Sequence, residues 1–193
     1  MKHFFFLFFF VPFCLASQIH LGNPDFRLRN VDNRMISLES YPDAKGFILV
    51  FTCNHCPFAK LYSKRLNALH EKYEALGVPL LAINPMDTLV YEDESFELMQ
   101  QRAKKDKFKF PYLQDDLQVA GKYFNAKNTP EAFVIWNENG NWILKYRGAI
   151  DDNGENKKRN ITYIDETVDA LLSNKQVVNP ETTSFGCKIY YRK

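Results

Sequence analysis

Two short apolar runs set the pattern of this chain. Ile48-Leu49-Val50-Phe51 and Val78-Pro79-Leu80-Leu81-Ala82-Ile83-Asn84 are almost free of polar residues, the composition of strands covered on both faces. Between them, apolar residues recur at Phe58, Tyr62, Leu66, Leu69, Tyr73 and Leu76. Steps of three and four mark one face of a helix, and Gly77 stands where a left-handed residue ends such a helix. Strand, helix and strand together predict a right-handed βαβ unit with a parallel pair.

The remaining pattern predicts a short strand at Phe26-Arg27-Leu28, a turn over Asn30 to Arg34, and a return strand at Met35-Ile36-Ser37-Leu38. Tyr41 to Lys45 is a polar loop. Ser95 is placed to cap a charged helix reaching Lys107, whose basic end Lys104-Lys105-Asp106-Lys107 complements the helix dipole on a solvated face. Phe110 to Leu113 reads as a strand and Leu117 to Phe124 as a short helix. Ala132 to Trp136 and Trp142 to Arg147 are strands joined by Asn139-Gly140, a strong hairpin signal. After the polar stretch from Asp151 to Asn160, Ile164, Val168, Leu171 and Leu172 line one side of a closing helix. Asn160-Ile161-Thr162 is a glycosylation sequon, relevant in a eukaryotic source.

Met1 to Ala16 is a separate object. Lys2-His3 precede a nearly unbroken Phe/Leu run from Phe4 to Phe13, and Cys14 and Ala16 are spaced as the small residues of a cleavage site. This is the pattern of a secretory signal peptide cut at or near Ala16. A membrane anchor needs roughly twenty apolar residues, about twice this run, and Val11-Pro12-Phe13 leads poorly into a lipidated Cys14. The expectation is an exported protein, periplasmic in a Gram-negative cell and otherwise secreted, with no membrane span after cleavage. A signal peptide over 1–16 then precedes one domain over 22–193, with a C-terminal tail over 173–193. Lysine and arginine total 25 against 23 aspartate and glutamate, a balance that gives no electrostatic case for nucleic acid or an anionic membrane as partner.

The chemistry lies where the first apolar strand meets the helix, at Thr52-Cys53-Asn54-His55-Cys56-Pro57. Unpaired N–H groups at a helix start favour an anion, so a thiolate at Cys53 is expected to form below the ordinary thiol pKa. Cys56 is spaced to close a disulfide with it. His55 adds a cation or a hydrogen-bond donor, and Pro57 costs nothing in a first turn. The alternatives fit less well. A zinc site needs a second ligand pair, and c-type haem attachment needs His where Pro57 stands. No metal and no cofactor is called for, because the sulfurs themselves carry the electrons. Cys187 is a third thiol, with three roles open to it: to resolve a disulfide with Cys53 or Cys56, to bond a partner, or simply to remain reduced. His20 and His70 are expected on the surface.

The order β–α–β–α–β–β–α, the CxxC at the first long helix and Thr129-Pro130 before the hairpin resemble the thioredoxin fold, an α/β architecture with a central mixed sheet flanked by helices. Thr129-Pro130 resembles that fold's cis-proline loop, which lies beside the active-site cysteines. Cys56-Pro57, the insert before Thr129, Tyr146-Arg147-Gly148-Ala149-Ile150-Asp151-Asp152 and Gly186-Cys187-Lys188-Ile189 are similar to the redoxin branch. That branch is the alkyl hydroperoxide reductase/thiol-specific antioxidant family, with its peroxiredoxin-like members that carry CxxC. The resemblance implies a thiol–disulfide oxidoreductase acting on protein or small-molecule thiols and disulfides with a redox partner protein.

Departures shape the expectation. In the peroxiredoxin pattern Pro-x-x-x-Thr-x-x-Cys, Cys56 takes the last place, Cys53 replaces the Thr and Leu49 the Pro, so the peroxide pocket is incomplete. The strand before CxxC lacks the buried carboxylate usual in thioredoxins; Glu131 is a candidate substitute, with surface placement as its alternative. Arg147 is a candidate thiolate partner or an exposed strand residue. Cys53 is read as the attacking thiolate and Cys56 as its resolver, in a pair open to approaching molecules. A thiol-dependent peroxidase and a copper-handling protein using Cys53, Cys56 and a His are the rival functions.

Overall fold

The structure is a computed structural model that describes residues 19–22, 24, 26–154 and 161–193. The expected signal peptide and Asn160 of the sequon lie outside the described residues. The chain runs through β1 (Ile19–Gly22), β2 (Leu28–Asn30), β3 (Met35–Ile36), β4 (Gly46–Phe51), α1 (Pro57–Leu61) and α2 (Ser63–Tyr73). It continues through β5 (Leu80–Asn84), α3 (Phe96–Lys105), β6 (Tyr112–Gln114), α4 (Val119–Phe124), β7 (Asn128–Thr129), β8 (Glu131–Glu138), β9 (Asn141–Gly148), α5 (Tyr163–Leu172) and β10 (Cys187–Lys188).

Eight of these strands form one mixed sheet in the order β1-β9-β8-β4-β5-β6-β2-β3. β4 runs parallel to β5 and antiparallel to β8, which places it at the centre. Its alternation divides the interior into two layers. Ile48 and Val50 pack with Tyr62, Leu66 and Tyr73 of the α1–α2 segment and with Ile164 and Val168 of α5. Phe47, Leu49 and Phe51 pack with Phe26, Phe124 and Phe133 on the other side. Every residue of β4 is buried, so its end is rigidly placed. This is the thioredoxin-like α/β architecture that the sequence pattern and the resemblance predict.

The long helix expected after CxxC is divided. α1 ends at Tyr62, because the Ala59 carbonyl accepts from the Tyr62 N–H at 3.3 Å and from the Arg102 guanidinium at 3.1 Å. Phe58 and Leu76, expected on the buried face, are exposed; Phe58 meets Phe185 edge-on instead. Gly77 adopts φ +83°, as the end of the segment requires, and Asn139-Gly140 both take positive φ in the β8–β9 turn. His70 departs from its expected surface position. It is buried, with Nε2 3.1 Å from Glu74 and Nδ1 unpartnered, because its place on α2 turns it toward Phe110. Two pairings had no sequence signal: β1 against β9 at one edge of the sheet, and β10 against β7.

Candidate active site

The Cys53–Cys56 turn joins the end of β4 to α1, with Cys56 as N-cap and Pro57 in the first turn. Its outer flank is held by one carboxylate. Glu94 is fully buried, and its oxygens accept from the Asn54 N–H at 2.8 Å, the His55 N–H at 2.8 Å and the Asn84 amide at 2.7 Å. His55 Nδ1 lies 2.6 Å from the same carboxylate, and its ring stacks on Tyr91. The Asn54 side chain donates to the Asp93 carbonyl at 2.8 Å and accepts from the Tyr112 hydroxyl at 3.0 Å. Arg102 donates to the Cys53 carbonyl. These bonds pair both inner N–H groups of the turn, the Cys53 carbonyl and the Asn54 side chain, as buried polar groups require.

The inner flank is Thr129. Its hydroxyl lies 3.0 Å from Cys53 Sγ, and its carbonyl accepts from the Cys56 thiol at 3.1 Å. The peptide between Thr129 and Pro130 is cis. Glu131 is buried rather than on the surface, and its Oε2 accepts from the backbone N–H groups of Lys127 and Asn128 at 2.6 and 3.2 Å. It therefore holds the shape of the Thr129 loop. Arg147 pairs with Glu181 through two guanidinium nitrogens, at 2.9 and 2.5 Å.

All three described cysteines are free, and they converge. Residue 187 pairs with residue 129 across the β7–β10 ladder, and Cys187 approaches Cys56 with both its thiol and its backbone N–H. Cys56 is the hub: the Cys53 thiol, the Cys187 thiol and N–H, and the Ala59 N–H at the start of α1 are the neighbours that favour its charged form. These hold its pKa well below the ordinary thiol value, against burial and against the Thr129 carbonyl, which favours the protonated form. Cys53 is pushed the other way by its bond to Cys56, by burial and by the charge of Glu94. Cys187 is raised by burial, by its bond to Cys56 and by the Cys56 charge. The two shifts run opposite to the direction expected from the sequence, down at Cys56 and up at Cys53.

A second expectation fails as well. Cys53 and Cys56 are both 0% exposed, whereas Cys187 is partly exposed. An open groove of about 380 Å³ runs beside the turn past Asn54, His55, Lys60 and Arg102, but neither cysteine lines it. Cys53, His55 and Glu94 each bring a ligand atom within 4.8 Å of the others. The Glu94 oxygens are already taken by N–H donors, so the cluster serves as a clamp on the turn and suits a metal poorly.

Sequence reading found the pair, His55, Pro57, Thr129 and Pro130 through local motifs. It missed Glu94 and Arg102, which sit in an acidic run and on a charged helix indistinguishable from solvated surface. Tyr91 and Asn84 carried no signal.

Fold and site together define a thioredoxin-fold protein with converging redox-capable thiols. The chain belongs to the AhpC/TSA family, whose description matches residues 22–152. An uncharacterized conserved protein from Geobacillus kaustophilus is 33% identical over 89% of this chain and 90% of its own, with a TM-score of 0.80. A hypothetical protein from Sinorhizobium meliloti is 29% identical over 92% of this chain and 99% of its own, also at 0.80. A probable glutathione peroxidase 2 of Arabidopsis thaliana is 30% identical over 99 residues, 51% of this chain. The chain spans 57% of the length of that curated relative. Among the described residues, no helix is long and apolar enough to cross a membrane.

Proposed function

We propose that this protein is a thiol–disulfide oxidoreductase in which Cys53 and Cys56 cycle between dithiol and disulfide. The observation that carries the reading is the meeting of both sulfurs on Thr129, each at hydrogen-bond distance, with neighbours that lower the Cys56 pKa. A thiolate is the attacking form in disulfide exchange. Cys56 opens an acceptor disulfide and forms a mixed disulfide, with one acceptor thiolate leaving. Cys53 then attacks the Cys56 sulfur, the second acceptor thiolate departs with the Cys53 proton, and the Cys53–Cys56 disulfide remains. Two electrons pass from the pair to the acceptor, and reversal donates a disulfide. His55 is part of this reading as the ring that joins Glu94 to the turn beside Cys53.

A thiol peroxidase is the second reading. Full burial of the pair admits a small peroxide more readily than a protein disulfide, and the 30% identical relative is described as a probable glutathione peroxidase. Cys56 would become a sulfenic acid and Cys53 would resolve it with loss of water. Disulfide exchange stands first because Cys53 and Leu49 replace the Thr and Pro of the peroxidatic pattern, and Arg147 is engaged by Glu181.

Redox titration with thiol mass tagging tests the function. A reversible Cys53–Cys56 disulfide is expected, and Cys56→Ser should reduce insulin-disulfide reduction to background. An unchanged rate in Cys56→Ser rejects the mechanism, whereas stoichiometric peroxide consumption with a trapped sulfenate selects the second reading. Export rests on the pattern of residues 1–16; a mature protein from the exported fraction beginning near Ser17 is its expected outcome.

A further inference from the structure

The buried pair has one neighbouring cysteine that is not itself buried. Cys56 and Cys53 are both 0% exposed, so an outside protein thiol cannot meet either without a movement or an intermediary. Cys187 is partly exposed, pairs in register with Thr129, whose carbonyl lies 3.1 Å from Cys56 Sγ, and packs against the cluster that holds both pair cysteines. Its position is built rather than incidental. Lys127 O accepts from the Ile189 N–H at 2.8 Å, and the Tyr191 hydroxyl donates to Ala126 O at 2.6 Å. Gln118 bonds Tyr190 O at 2.9 Å and the Arg192 N–H at 2.7 Å, and Ile189 is buried in the same core as both pair cysteines. Gly186 permits the approach: a Cβ there would lie 2.1 Å from Thr129 O.

We infer that Cys187 is a third redox thiol that carries the disulfide outward from the buried Cys53–Cys56 pair to a partner dithiol. The inference rests on the oxidoreductase reading. With the pair oxidised, Cys187 as thiolate attacks Cys56 Sγ; the Cys56–Cys187 bond forms, the Cys53–Cys56 bond breaks, and Cys53 takes up the proton released by Cys187. No net oxidation occurs in that step. A partner thiolate then attacks the sulfur of the partly exposed Cys187, and Cys56, the thiol of lowered pKa, leaves as the better leaving group of the two. The partner's second thiol attacks the mixed disulfide and releases Cys187, whose thiolate takes the remaining proton. The partner dithiol is oxidised by two electrons and the buried pair is reduced by two.

The surroundings of Cys187 suit this direction. Burial is the largest cause that holds it protonated, followed by its interaction with Cys56 and the Cys56 charge. The last two vanish when Cys56 is in a disulfide, so oxidation of the pair moves the Cys187 pKa back toward the ordinary thiol value, with burial still opposing.

Two experiments test the relay. Oxidised wild-type and Cys187→Ser proteins are re-reduced by reduced thioredoxin, a protein-sized dithiol probe; the variant is expected to be slower by at least about tenfold, with reduction by dithiothreitol much less affected. In Cys53→Ser, treatment with a small-molecule oxidant is expected to yield a Cys56–Cys187 disulfide by peptide mapping, a result that does not depend on the folding of the first variant. Equal re-reduction of wild type and Cys187→Ser, or a Cys53→Ser protein in which residues 56 and 187 never join, overturns the relay while leaving the Cys53–Cys56 reading in place. A wild type that forms neither disulfide overturns the oxidoreductase reading itself.

Discussion

The two flanks of the CxxC turn are built from different chemistry. On the outer flank, buried Glu94 gathers two backbone N–H groups, an amide and an imidazole, and Arg102 holds the Cys53 carbonyl. On the inner flank, three thiols, one hydroxyl and one carbonyl face one another around Thr129. The outer set consists of strong, fully matched bonds that fix geometry. The inner set consists of weak donors and acceptors that exchange bonds easily. A site that must make and break an S–S bond without losing its shape needs that division: rigidity on one side and chemistry on the other.

The sharpest way to break the contrast is to weaken the outer flank. Glu94→Gln keeps the volume but turns an amide N–H₂ toward N–H donors, leaving buried donors unpaired. A hydrogen bond to a charged group contributes about 1.5–3 kcal/mol, and an orphaned buried donor costs about 1–3 more. The reduced variant should therefore lose roughly 3 kcal/mol or more in denaturant unfolding. Loss of the charge should also lower the Cys53 pKa, since Glu94 is one of the groups that raise it. Unchanged stability would mean that the turn holds its shape without the clamp.

The same division explains what the sequence made legible. β4, Gly77, Asn139-Gly140, Pro57 and the Thr129-Pro130 loop are local patterns, each readable from neighbours in the chain. Glu94 is not, because a carboxylate in the run Glu92-Asp93-Glu94 looks like solvated charge until the fold buries it beneath Asn54 and His55. His70 failed for the same reason, since a lone polar residue on α2 gives no sign that Phe110 will cover it. The opposite shifts of Cys53 and Cys56 are tertiary in part. A helix start favours a thiolate nearby, but the two shifts are set first by the interaction between Cys53 and Cys56 and then by burial, with Glu94 and Cys187, roughly 40 residues or more away in sequence, adding to the split.

The inner flank is disturbed most selectively at Gly186. Its φ of +148° and the close approach of Thr129 O leave no room for a side chain. Gly186→Ala should cost about 1–3 kcal/mol, as overpacking does, and should pry the β7–β10 ladder apart. The expected signature is selective: Cys53–Cys56 oxidation persists, while the Cys56–Cys187 disulfide fails to form in the Cys53→Ser background. If that disulfide still forms at the original yield, the close packing at Gly186 does not position Cys187.

The mildest test lies farther along the tail. Arg147 is bonded to Glu181 at a partly exposed site, and exposed pairs of this kind contribute about 0–1 kcal/mol. The tail is also tied there by its backbone, through the Arg147 N–H to Pro180 O and the Thr182 N–H to Arg147 O, both at 3.0 Å. Those bonds survive any side-chain change at 147. Arg147→Gln should therefore shift stability by less than about 1 kcal/mol and leave re-reduction by thioredoxin as in wild type. A large loss of thiol reactivity would instead place the guanidinium in the chemistry, and would move the boundary of the inner flank outward to include β9.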